Sequence, residues 1–195
     1  MSRAYLLEVC GPTMSEAPIL RDTVRSKGRD ALQKNIQAAL ALAEAIRSTL
    51  GPKGLDKLLI DDDGRTLVTN DGVTVLETAK VEHPVAKMMI NASSAQDRVA
   101  KDGTTSTVIL AGEMLQNAWQ LILQGIHPST IARGFRKAEQ FVLKSLEEIS
   151  LIASDDMKKT VVKTSLAGKG HSSMQETIAD ISLRAVNMIV EGDDG

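Results

Sequence analysis

Cys10 is the only cysteine in the 195 residues, so no internal disulfide can staple the chain, and its chemistry suits a reducing compartment. Aromatic residues are nearly missing: Tyr5, Trp119, Phe135 and Phe141 are all there is, which removes the stacking platforms used to hold single-stranded nucleic acid. There is no excess of positive charge either. The 23 Lys and Arg against 25 Asp and Glu leave a net charge of −2, with no basic face to neutralise a phosphate backbone and no acidic tail. Long apolar runs are absent, and the opening "AYLLEVC" lacks the length and cleavage site of a signal peptide. Neither nucleic acid nor a membrane is expected as a partner, and the default address is the cytoplasm. Histidine is scarce and scattered. His83 and His127 precede prolines in "EHPVA" and "IHPST", a pattern that places Pro at the first position of a helix rather than building a metal site with His171.

What is present is helical periodicity. Residues 1 to 27 read as a flexible tail, with Pro12 and Pro18 preventing a helix and "APILR" offering at most one short strand. From Asp30, apolar residues at Leu32, Ile36, Ala39, Leu40, Ala43 and Leu50 recur at helical spacing until "GPKG" stops them. The runs "KLLI" and "TLVT" then flank Asp63 and Gly64, which predicts a hairpin. An EF-hand is excluded, since no glutamate follows the aspartates at the required offset. Helices are predicted over about 73–80, 84–99, 104–124, 129–150, 155–166 and 172–191. The short turns between the earlier ones make them neighbours in a bundle.

Three loops place glycine or small polar residues at helix ends: "TLGPKG" at 49–54, "TNDG" at 69–72 and "KDGTT" at 101–105. Helix N-terminal amides attract anions, and glycine lets a ligand approach the backbone. Asp71 and Asp102 are hard oxygen donors of the kind Mg²⁺ prefers, and magnesium on phosphates takes only one or two protein carboxylates. A phosphate-and-magnesium pocket is one reading. The other is purely structural: Asp102 caps a helix, Asn70 and Asp71 form a turn, and Gly51 ends a helix. Neither "GPKG" nor "AGKG" has Walker A spacing, which excludes a P-loop NTPase.

In their order and spacing, these loops resemble the group II chaperonins, the archaeal thermosome and the CCT ring of the eukaryotic cytosol. The resemblance runs from "GRDALQKNI" through "AIRSTLGPKGLDKLLIDDDGRTLVTNDGVTVL", "VEHPVAKMM", "DGTTSTVILAGEML" and "GIHPSTIARGFRKA" to "TSLAGKG". It implies a mainly α fold: the helical bundle of a chaperonin equatorial domain with a small β-hairpin, then the outgoing helical part of the intermediate domain. Residues 28–152 would be the first equatorial segment and 153–195 the first intermediate segment. The apical domain and the C-terminal equatorial half would lie outside this chain, which is expected to be an N-terminal fragment with exposed apolar patches.

The resemblance further implies ATP and Mg²⁺ as cofactors. Thr49, Leu50, Gly51 and Pro52 would lie against the ribose and phosphates. Asp102 would be the magnesium ligand, Gly103, Thr104, Thr105 and Ser106 phosphate contacts, Asp71 the acid that orients the attacking water, and Lys169 a cation near the γ-phosphate. The implied partners are other chaperonin subunits in a double ring and unfolded client proteins held by the apical domain. The implied function is an ATP-dependent folding machine; the alternative is a chaperonin-derived interaction or structural protein that binds nucleotide weakly or not at all and does not hydrolyse it. One position departs from the pattern: Lys101 stands where the family has glycine. A left-handed backbone there costs a side chain roughly 1–2 kcal/mol. Its ammonium either competes with Mg²⁺ for Asp102 or swings to solvent.

Overall fold

The computed structural model describes residues 5–8, 24–60, 63–78, 81–167 and 172–189. Cys10, "APILR", Asp61, Asp62, Lys169 and His171 lie outside them. The elements are β1 (Tyr5–Glu8), β2 (Val24–Lys27), α1 (Gly28–Arg47), β3 (Lys57–Ile60), β4 (Thr66–Thr69), α2 (Gly72–Thr78), α3 (Pro84–Ala100), α4 (Thr104–Leu123), α5 (Pro128–Ile149), α6 (Asp155–Leu166) and α7 (Gln175–Ile189), with a 3-10 turn at Ser172–Met174. The fold is mainly α with a small antiparallel hairpin, as expected. β3 and β4 pair Lys57 with Thr69 through Ile60 with Thr66. β1 and β2, within the stretch expected to be a tail, form a parallel pair with Tyr5 opposite Val24. Pairing between segments so far apart leaves no local signal.

The chain divides into two compact units, residues 1–50 with 55–132, and residues 51–54 with 133–195, so the division falls inside α5. In the first unit the core joins Ala39, Leu42, Ala43 and Ile46 of α1, Val75 and Leu76 of α2, Ala86 and Met89 of α3, and Val108 of α4. The periodic apolar face of α1 is therefore the surface on which the other helices collect. α1 and α4 come together at Gly112, where a Cβ would sit 2.7 Å from the Ala43 Cβ. Only the missing side chain allows that approach. Arg47 bridges the same two helices, pairing with Glu113 of α4 while its Nε lies 2.9 Å from Glu44. Glu113 first and Glu44 second hold its guanidinium above the usual range.

α1 ends at Arg47, three residues short of Leu50, because the Thr49 amide and hydroxyl both donate to the Ile46 carbonyl, at 2.9 and 2.8 Å. That i to i−3 pattern tightens the last turn and closes the helix. The His-Pro pairs act as helix starts: the His83 ring accepts from the Val85 amide at 3.3 Å, and the His127 ring from the Ser129 amide at 3.2 Å. No described helix is long and apolar enough to cross a membrane.

In the second unit α6 and α7 are joined by charge. Lys159 lies 2.9 Å from Glu176 and 2.6 Å from Asp180, and Lys163 also pairs with Glu176. The two lysines, Lys163 before Lys159, hold the Glu176 carboxyl down to about 2. Apolar residues are exposed on α5 and after it, including Phe141, Leu143, Leu146, Ile149 and Ile152. Exposed apolar surface was expected, and it is present here and on the hairpin at Leu58, Ile60 and Val68.

Candidate functional site

Each candidate loop of the first unit is anchored within about two helical turns of one core. Thr49 follows Ile46, Asp71 precedes Val75, and Asp102 precedes Val108, and those three apolar residues share a single cluster. The C-terminal end of α1 and the N-terminal ends of α2 and α4 therefore lie over the same patch of core. The closest approach is between the loops themselves. A Cβ on Gly72 would fall 2.2 Å from the Thr105 Oγ1 and 3.3 Å from the Thr105 Cα, so the start of α2 lies directly against the first turn of α4.

Asp71 caps its helix. Its Oδ2 accepts from the Thr74 amide at 3.0 Å and from the Thr74 hydroxyl at 2.7 Å, and its own amide donates to the Thr69 hydroxyl at 3.1 Å. The structural role proposed for this loop is thus real, and the carboxylate stays exposed.

Asp102 does not cap α4. The residue at the cap is Gly103, left-handed at φ 78°, which has no side chain to cap the helix. The Asp102 Oδ1 instead accepts from the Gly103 amide at 2.8 Å, and the Gln96 side chain holds the Asp102 carbonyl at 3.1 Å. The hydroxyls of this segment do not cap it either. Thr107 Oγ1 donates backward to the Gly103 carbonyl at 2.9 Å, and Thr104 and Thr105 are nearly buried while Ser106 is exposed. The amides of Thr104, Thr105 and Ser106 precede the first intrahelical bond, which begins at Thr107. An uncapped N-terminus, with its positive dipole end, is a place where an anion is stabilised.

Thr49 is buried and Leu50 half exposed. Gly51, at φ +84°, and Pro52 group with the second unit and are both exposed, the Gly51 carbonyl accepting from the Gly54 amide at 2.9 Å. The candidates that share one unit are therefore Thr49, Leu50, Asp71, Asp102 and residues 103–106. Lys169 is outside the described residues.

Lys101 takes the left-handed conformation, φ 55° and ψ 18°, alone among the described non-glycine residues. Its ammonium lies 3.3 Å from Asp97, one turn back along α3, rather than on Asp102. Two supporting residues escaped the sequence reading. Ser93, with no exposed surface, donates to the Thr104 carbonyl at 3.2 Å, and Gln96 holds Asp102. Both sit on an ordinary amphipathic helix, where nothing local marks them.

Residues 42–194 match the model of the TCP-1/cpn60 chaperonin family. The chain belongs to that family. Among chaperonin relatives it is 48% identical over 181 residues to a thermosome subunit beta of Archaeoglobus fulgidus, covering 91% of this chain and 33% of that protein. It is 42% identical over 184 residues to a thermosome subunit alpha of Thermoplasma acidophilum, covering 92% and 34%. A thermosome subunit of Methanopyrus kandleri is 45% identical over 175 residues, covering 88% and 32%. The chain thus spans about a third of the length of the curated relatives it matches. The membership agrees with the resemblance carried by the three loops.

Proposed function

We propose that this chain carries the phosphate-binding part of a chaperonin ATP site, and that in a protein of the relatives' length this site drives an ATP-dependent folding machine. The observation that carries the reading is the start of α4, where the amides of Thr104, Thr105 and Ser106 precede the first intrahelical bond, beside hydroxyls and the exposed Asp102 carboxylate. The donor set fits magnesium: the Asp102 carboxylate and neighbouring hydroxyls are hard oxygens, and a phosphate-bound cation needs few protein ligands. Bound there, magnesium would neutralise charge on the phosphates and hold them in register.

The chain's own residues then have distinct tasks. The amides of Thr104, Thr105 and Ser106 receive phosphate oxygens, and Thr49, Leu50, Gly51 and Pro52 contact the ribose and phosphates. Asp71, already oriented by Thr74, accepts a hydrogen bond from the attacking water and aligns it. Lys169 supplies a cation near the γ-phosphate. Positioning and charge neutralisation of this kind provide most of the rate in phosphoryl transfer. Residues 28–152 are read as equatorial and 153–195 as intermediate. Ring partners of the thermosome or CCT type, unfolded clients and a cytoplasmic setting belong to the same proposal.

The test uses a chain extended to the relatives' length and assembled. It is expected to bind ADP with Mg²⁺ in a manner that Asp102→Asn weakens, and to release phosphate faster than its Asp71→Ala control. Equal phosphate release by the two would overturn hydrolysis and leave the interaction-protein alternative; binding indifferent to Asp102→Asn would overturn the site.

A further inference from the structure

Lys101 places an ammonium on the residue next to Asp102, yet that ammonium is bound elsewhere. Its backbone is left-handed, its side chain is largely exposed, and its Nζ lies 3.3 Å from the Asp97 Oδ2. The Asp102 Oδ1 meanwhile accepts from the Gly103 amide at 2.8 Å. A lysine has a flexible four-carbon stem and a compact charge, so Lys101 has two carboxylates to choose between, one a turn back along α3 and one beside it in sequence.

We propose that Asp97 is a positioning residue that sequesters the Lys101 ammonium and so keeps Asp102 available to a divalent cation. This rests on the phosphate-and-magnesium reading of the α4 N-terminus and adds a control on it. Without Asp97 the ammonium turns to Asp102, occupies the carboxylate and competes with the metal. Lys101 is largely exposed and Asp97 partly so, and the effect is that of a surface charge interaction, roughly two- to fivefold in cation affinity.

The test is a double-variant cycle on the assembled protein. Mn²⁺ is the spectroscopic probe, and its free and bound fractions are read by electron paramagnetic resonance at saturating ADP. Asp97→Asn is expected to weaken Mn²⁺ binding roughly two- to fivefold. Lys101→Ala is expected to bind as wild type does, because its ammonium is already sequestered. The double variant is expected to return to the wild-type value. A simple summation of charges predicts a different pattern, in which Lys101→Ala tightens binding as much as Asp97→Asn loosens it; that result overturns the proposal. So does Asp97→Asn binding as wild type. Asp97→Ser serves as a second variant at this surface position if the asparagine form does not fold. Wild-type Mn²⁺ binding unaffected by Asp102→Asn overturns the underlying site instead, so the two failures are distinguishable.

Discussion

Gly72 and Thr105 touch: with any side chain at 72, a Cβ would lie 2.2 Å from the Thr105 hydroxyl oxygen and 3.3 Å from its Cα. The first contact could be relieved by rotating Thr105, but the second is to backbone. Gly72→Ala must therefore push the start of α2 away from α4. Overpacking of this kind costs about 1–3 kcal/mol. Chemical denaturation is expected to show that loss, and nucleotide binding to weaken beyond it, because the two loops separate.

Lys101 is under backbone strain that glycine would relieve. A left-handed side chain costs roughly 1–2 kcal/mol, part of which is offset by the greater freedom of glycine in the unfolded chain. Lys101→Gly is expected to stabilise the protein by about 1 kcal/mol, raising Tm by roughly 2–4 °C in a thermal melt. An unchanged or lower Tm would count against strain at this residue.

Asp71 has two duties, and two substitutions separate them. Asparagine caps a helix about as well as aspartate, whereas alanine in place of a cap costs about 1 kcal/mol. Asp71→Asn should hold stability near wild type while losing the carboxylate, and Asp71→Ala should lose both. In the chain extended to the relatives' length and assembled, phosphate release is expected to fall in each. Activity retained by Asp71→Asn would assign this residue to capping alone.

The Glu176 network should be sensitive to acid. Lys163 and Lys159 hold the Glu176 carboxyl down to about 2, below its ordinary 4.5. A depressed carboxyl contributes stability above its unfolded value, and that contribution is lost as pH falls from about 4.5 toward 2. Hydrogen exchange of α6 and α7 is expected to accelerate across that window in the wild type. In Glu176→Gln this step should be reduced, and added salt should shrink it in the wild type, since these groups are exposed.

Sequence alone determined the helices, the Asp63-Gly64 hairpin, the His-Pro starts and the three loops, because periodicity, capping and turn chemistry act within a few neighbouring residues. Even there, helix α1 closed early at Thr49, whose hydroxyl chose the Ile46 carbonyl. The parallel pairing of β1 with β2, the meeting of Gly72 with Thr105, and the support of Thr104 by Ser93 were decided only in the tertiary structure. Those contacts join segments distant along the chain, and they exist because Ile46, Val75 and Val108 must share one core.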